Sequence, residues 1–103
     1  MEHLILSADG LLSVYLVPEK VINNLEKYCN EFWDWMQKSP YADKYRVDIG
    51  DSIGLSYNEH DFVEYLNEWV FPDKPSQLVE KLDGVYERNN IPIKYKHCKW
   101  FNF

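Results

Sequence analysis

Residues 18–38, PEKVINNLEKYCNEFWDWMQK, decide the fold class. Pro18 suits the first turn of a helix, where its missing N–H costs nothing, and Glu19 favours the positive end of the helix dipole. At about 100° per residue, Val21, Ile22, Leu25, Tyr28, Cys29, Phe32, Trp33, Trp35 and Met36 fall in one arc of roughly 160°. Every Glu, Asp, Lys, Asn and Gln of the segment falls outside it. The pattern predicts an amphipathic helix running to about Lys38. Ser39-Pro40 ends it, because the residue before a proline is pushed out of the helical region.

Such a helix needs an apolar surface to cover, and the flanking sequence reads as strands. Upstream, Leu4-Ile5-Leu6 and Leu11 to Val17 flank Ala8-Asp9-Gly10, whose Asp-Gly pair supplies the turn of a hairpin. Apolar residues stand at both parities, so these strands are expected centrally in a sheet, covered on both faces. Downstream, Tyr45, Val47 and Ile49 alternate with Arg46 and Asp48. After Gly50-Asp51 the alternation resumes as Ile53, Leu55 and Tyr57, which predicts a second hairpin with one polar face.

Asn58 stands three residues before Asp61, a capping arrangement that starts a second helix. Phe62, Val63, Tyr65, Leu66, Trp69 and Val70 form its apolar face, and Phe71-Pro72 closes it. Leu78, Val79, Leu82, Val85 and Tyr86 then form the stripe of an expected third helix, opposite Gln77, Glu80, Lys81, Asp83 and Glu87. Ile91, Ile93, Tyr95 and His97 alternate as a last strand, restricted by Pro92 to an edge or a strand start. The expected order is ββ-α-ββ-α-α-β, an α+β fold with a mostly antiparallel sheet and its helices mainly packed on one face.

With 103 residues, one domain over 1–103 is the expectation. A composition 46% hydrophobic and 17% aromatic is far from that of a disordered chain. The net charge of -6 works against phosphate backbones and anionic lipid, so neither nucleic acid nor membrane is expected as partner. Residues 51–87 hold 9 acidic and 2 basic side chains, while residues 88–103 hold 0 and 4. No secretory signal or membrane span is legible, and Cys29 and Cys98 are too few for a disulfide framework or a zinc site; a reducing cytoplasm is the expected location.

Catalytic equipment is thin. There is no GxSxG, HExxH, Walker loop or GxGxxG, and no metal or cofactor is expected. His60 and Glu64 are four apart and read as a solvated pair. Cys29 lies in an apolar arc, where a thiol packs as a small hydrophobe, and His97 and Cys98 are adjacent in the expected strand, where neighbours point apart. Asp61, Glu64 and Glu68 line one expected helix, and Glu80, Asp83 and Glu87 the next, with little basic relief. Trp33 and Trp35 mark the edges of the first apolar arc, where an aromatic anchor for a partner would sit.

A compact acidic domain of this length without catalytic equipment resembles in type the immunity proteins, antitoxins and inhibitors that neutralise toxic enzymes, especially basic nucleases. The leading expectation is a binding or inhibitor protein that docks a basic protein through its helix-borne carboxylates. Two alternatives are a small enzyme using His60 or His97 with nearby carboxylates, and an accessory domain pairing through Tyr95, Trp100, Phe101 and Phe103 of its C-terminal strand.

Overall fold

The computed structural model describes residues 1–8, 10–85 and 87–103. In chain order it contains β1 (Glu2–Ala8), β2 (Leu11–Val17), α1 (Glu19–Asn23), α2 (Leu25–Lys38), β3 (Arg46–Asp48), β4 (Ile53–Leu55), α3 (Glu59–Tyr65), β5 (Gln77–Leu82) and β6 (Lys99–Asn102). Short 3-10 turns cover Pro40–Tyr45, Arg88–Asn90 and Ile93–Tyr95, and a π turn prolongs α3 over Leu66–Val70. The chain is α+β, as its patterning predicts. Residues 1–23 and 58–103 form one compact unit and residues 24–57 another.

In the first unit the sheet order is β5-β2-β1-β6, antiparallel except for the β1/β6 pair. Leu4 to Ala8 and Leu12 to Tyr15 are buried at both parities, as expected of central strands. Leu4, Leu6 and Phe101 share the face that carries the helices. There Lys99 donates from Nζ to the Ile22 carbonyl of α1 at 2.9 Å, and the Phe62 ring of α3 lies 5.3 Å from Phe103. On the opposite face Ile5, Leu12, Val14 and Leu82 cluster with Ile91, Tyr95 and Cys98. The segment after β5 therefore returns across the sheet before entering β6 at its edge.

Three expectations change here. The third helix over 77–87 is not formed: Gln77–Leu82 is strand β5. Val14 pairs with Glu80 and Tyr15 with Leu78, so Val79 is the extra residue of a β-bulge. The bulge sets Leu78, Val79 and Leu82 at a spacing that imitates a helix. Gly84, at φ 78°, then turns the chain where a helix would have continued. Tyr86, also assigned to that helix, and Asp9, assigned to the first turn, lie outside the described residues.

The expected strand over 91–97 is also replaced. Ile91 and Tyr95 are buried but Ile93 is 85% exposed, because Pro92 opens a 3-10 turn in place of a ladder. The strand is confined to Lys99–Asn102. Finally, the long first helix is interrupted at Asn24, with φ -135° and ψ 37°, and becomes α1 and α2.

In the second unit, Tyr28, Cys29, Phe32 and Met36 are the buried residues of α2. The Phe32 ring lies 5.7 Å from Tyr57, 6.3 Å from Trp35 and 6.5 Å from Tyr45. The expected hairpin is present, yet it has no polar face. Arg46 pairs with Leu55, Val47 with Gly54 and Asp48 with Ile53. The loop between the strands, Ile49 to Ser52, holds an even number of residues, so odd-numbered positions face even-numbered ones across the ladder. Val47 therefore lies on one face and Ile53 and Leu55 on the other.

Arg46, read as a solvent-facing hairpin residue, instead closes the end of α2. Its Nη1 donates to the Met36 carbonyl at 2.9 Å and the Ser39 carbonyl at 2.8 Å, and its Nη2 to Asp43 Oδ1 at 2.6 Å. A cation here satisfies carbonyls left over by the helix and meets the negative end of its dipole. Arg46→Met is expected to lower stability by about 2 kcal/mol, read from urea unfolding. Arg46→Lys should recover only part of it, because one ammonium cannot span three acceptors in a planar fork.

Candidate functional site

The carboxylates singled out by sequence stand in different surroundings. Asp61 completes a capping box: it accepts the Asn58 N–H at 2.9 Å, while Asn58 Oδ1 accepts the Asp61 N–H at 3.1 Å. Glu64 Oε1 lies 3.2 Å from His60 Nε2, both side chains substantially exposed. Glu68 is exposed on the π turn. With Glu59, these residues make a segment that holds no Lys or Arg from 59 to 70.

Glu80 belongs to the opposite side of the sheet. It shares a face with Val14, and its Oε2 accepts the Tyr95 hydroxyl at 2.9 Å and lies 3.5 Å from Lys94 Nζ. That hydrogen bond, with desolvation behind it, raises the Tyr95 phenol above its ordinary range. Asp83 and Glu87 are exposed in the chain that follows β5. The six residues thus do not form one acidic face: Asp61, Glu64 and Glu68 lie on the helical side, and Glu80 is held under a loop on the other.

The tryptophans also separate. Trp35 packs 5.9 Å from the Tyr45 ring as well as against Phe32. Trp33 is 50% exposed and lines a cavity of about 610 Å³ with Arg46, Ile53, Leu55 and Tyr57. The C-terminal aromatics turn inward. Trp100 Nε1 donates to the Ser7 hydroxyl at 2.8 Å, and Phe101 lies 4.8 Å from Phe103.

One aromatic that the sequence assigned to the core is at the surface. Trp69 is 47% exposed, because α3 gives way to the π turn after Tyr65 and the Phe71 N–H bonds the Leu66 carbonyl at 2.7 Å. Widening the turn slows the advance around the axis, so Trp69 no longer falls in line with Phe62 and Leu66. Asn67 fastens this geometry: its Oδ1 accepts the Ser76 N–H at 2.6 Å and its Nδ2 donates to the Ser76 carbonyl at 3.1 Å. Residue type carries no signal of this, since Asn67 and Ser76 become partners only in the folded chain.

His97 lines a cavity of about 360 Å³ with Glu2, His3, Cys98 and Lys99, whose ammonium is engaged with Ile22. Burial raises the Cys98 thiol and pushes the Cys29 thiol up to about 12, which disfavours the nucleophilic thiolate at both. Among the described residues no group of three or more His, Cys, Asp or Glu could hold a metal ion, and no helix is long and apolar enough to cross a membrane. The chain matches no family model, no curated protein and no solved structure.

A thiol kept neutral in the fold but able to ionise once unfolded stabilises the fold fully below about pH 9, and that contribution is lost as pH rises from 9 towards 12. Tyr15 acts in the same direction between 10 and about 12, chiefly through burial and then through Glu59 and Asp61. The urea midpoint should therefore fall from pH 8 to pH 10.5, and fall less in Cys29→Ala. At pH 8 an aromatic disulfide reagent should label the thiols only as the chain unfolds.

Proposed function

We propose that the chain binds a basic protein through the outer surface of α3 and its π turn, with Glu64 and Glu68 supplying counter-charge and Trp69 an aromatic anchor. The exposure of Trp69 beside Glu68 carries this reading. On a regular helix that ring would fall in line with Phe62 and Leu66, and π turns recur at functional sites. Tryptophan is enriched among binding hot spots, which sit near the centre of a contact ringed by groups that exclude water. The absence of Lys and Arg between 59 and 70 favours a cationic partner.

In its finer form the reading is an inhibitor of the immunity type, covering a basic enzyme. The net charge of -6 supports it by speeding encounter with such a target. Asp61 and Glu80 are assigned to holding the fold, since each is engaged within the chain.

The immobilised chain, exposed to lysate of the cells that make it, should retain a basic protein whose capture weakens as salt is raised. With that protein purified, Trp69→Ala is expected to weaken binding about 30-fold, an effect of about 2 kcal/mol. Glu64→Lys with Glu68→Lys should slow association, while Tyr41→Ala on the second unit should leave both constants unchanged. Equal affinity in the Trp69 and Glu64/Glu68 variants would overturn the assignment.

A further inference from the structure

The π turn that exposes Trp69 also forms one wall of a cavity of about 760 Å³, contributed by Val70 and Phe71 and completed by Leu16, Pro18 and Pro75. We infer that this cavity receives an apolar side chain of the same basic partner, so that the recognised segment is an apolar residue flanked by cations. The inference rests on the proposed binding surface and deepens it.

Three observations join the cavity to that surface. Val70 belongs both to the π turn that carries Glu68 and Trp69 and to the cavity lining, so the exposed ring and the apolar wall are parts of one turn. The rim carries Lys20 and Lys74 together with Glu19 and Asp73, giving it no net charge. The floor thus selects by apolar contact, while charge selection falls to Glu64 and Glu68 of the same helical segment. Finally, the clamp from Asn67 to Ser76 holds both walls in place, since it ties the π turn to the chain beside Pro75 and Gln77. A preformed apolar recess beside an aromatic anchor lets a partner side chain bury its surface without ordering the receiving site.

The test uses two synthetic nine-residue peptides, each with three lysines on either side of a central triplet, Leu-Phe-Leu in one and Ser-Gly-Ser in the other. Amide resonances of the isotopically labelled chain are followed during titration. The Leu-Phe-Leu peptide should shift Leu16, Lys20, Val70 and Gln77 as well as Glu64 and Glu68, and bind at least tenfold more tightly. The Ser-Gly-Ser peptide should shift only the Glu64 to Trp69 surface. Val70→Trp, which fills the recess, should abolish the difference between the two peptides.

Equal affinities, or cavity resonances that stay fixed with the Leu-Phe-Leu peptide, would overturn the inference while leaving the acidic surface standing. Cavity shifts without any response at Glu64 and Glu68 would instead support the recess and refute the basic-partner reading. Self-association of the chain without peptide, seen by sedimentation and removed by Val70→Trp, would assign the recess to a second copy and overturn the inference.

Discussion

Strands β1 and β2 are buried on both faces, and the first unit is arranged around that demand. A strand covered on one side only would alternate apolar and polar residues, whereas Leu4, Ile5 and Leu6 are all fully buried. Helices α1 and α3 cover one side. On the other, the chain after β5 crosses in irregular turns, bringing Ile91, Tyr95 and Cys98 onto Ile5, Leu12 and Val14. An irregular cover leaves polar groups to satisfy, and those groups determine much of the local chemistry. The buried Ser7 hydroxyl donates to Asn102 Oδ1 at 2.8 Å and accepts from the Trp100 indole, while Tyr95 finds Glu80.

This division of labour explains why carboxylates of similar sequence context differ so much. Glu80 sits where a loop must be fastened to a sheet, and the buried base of that loop offers it a phenol. Asp61 sits in the first turn of a helix, where its carboxylate accepts the backbone N–H of the N-cap Asn58 and meets the positive end of the dipole. Glu68 has neither demand on it, being exposed one residue before an exposed tryptophan. Acidity alone therefore marks no site; the distinction lies in which carboxylates the fold already uses.

The legible and illegible parts of the sequence differ for a physical reason. The buried face of α2 was readable because Tyr28, Cys29, Phe32 and Met36 obey one undisturbed period, and the cap at Asn58 because its two hydrogen bonds are local. Pattern and structure part wherever the period breaks. The bulge at Val79 made a strand read as a helix, and the even loop of the second hairpin sent its two apolar sets to opposite faces. The π turn moved Trp69 out of a stripe that a constant helical period placed in the core. Bulges and π turns insert one residue's worth of phase, and nothing in residue type announces them. Only the partners that make them worthwhile do so, and Asn67 and Ser76, nine positions apart, become partners only once the chain has folded.

Net charge and local geometry also act at different ranges, which reconciles a dispersed set of carboxylates with a compact proposed interface. At physiological salt a field decays over about 8 Å, so an approaching cation responds to all the acid near its side of the molecule wherever each group is hydrogen-bonded. Asp61 contributes to that field even while it holds the fold together, whereas Glu80, on the opposite side of the sheet and beside Lys94, does not. Contact is more exacting, since a desolvated pair must fit and an anchor must find a recess. On the proposed reading, acid concentrated in residues 51–87 draws the partner in, and the few residues of the π turn decide which partner stays. Because the same widened turn exposes Trp69 and walls the recess beside it, a change that restored regular helix there would remove both features while leaving the charge untouched.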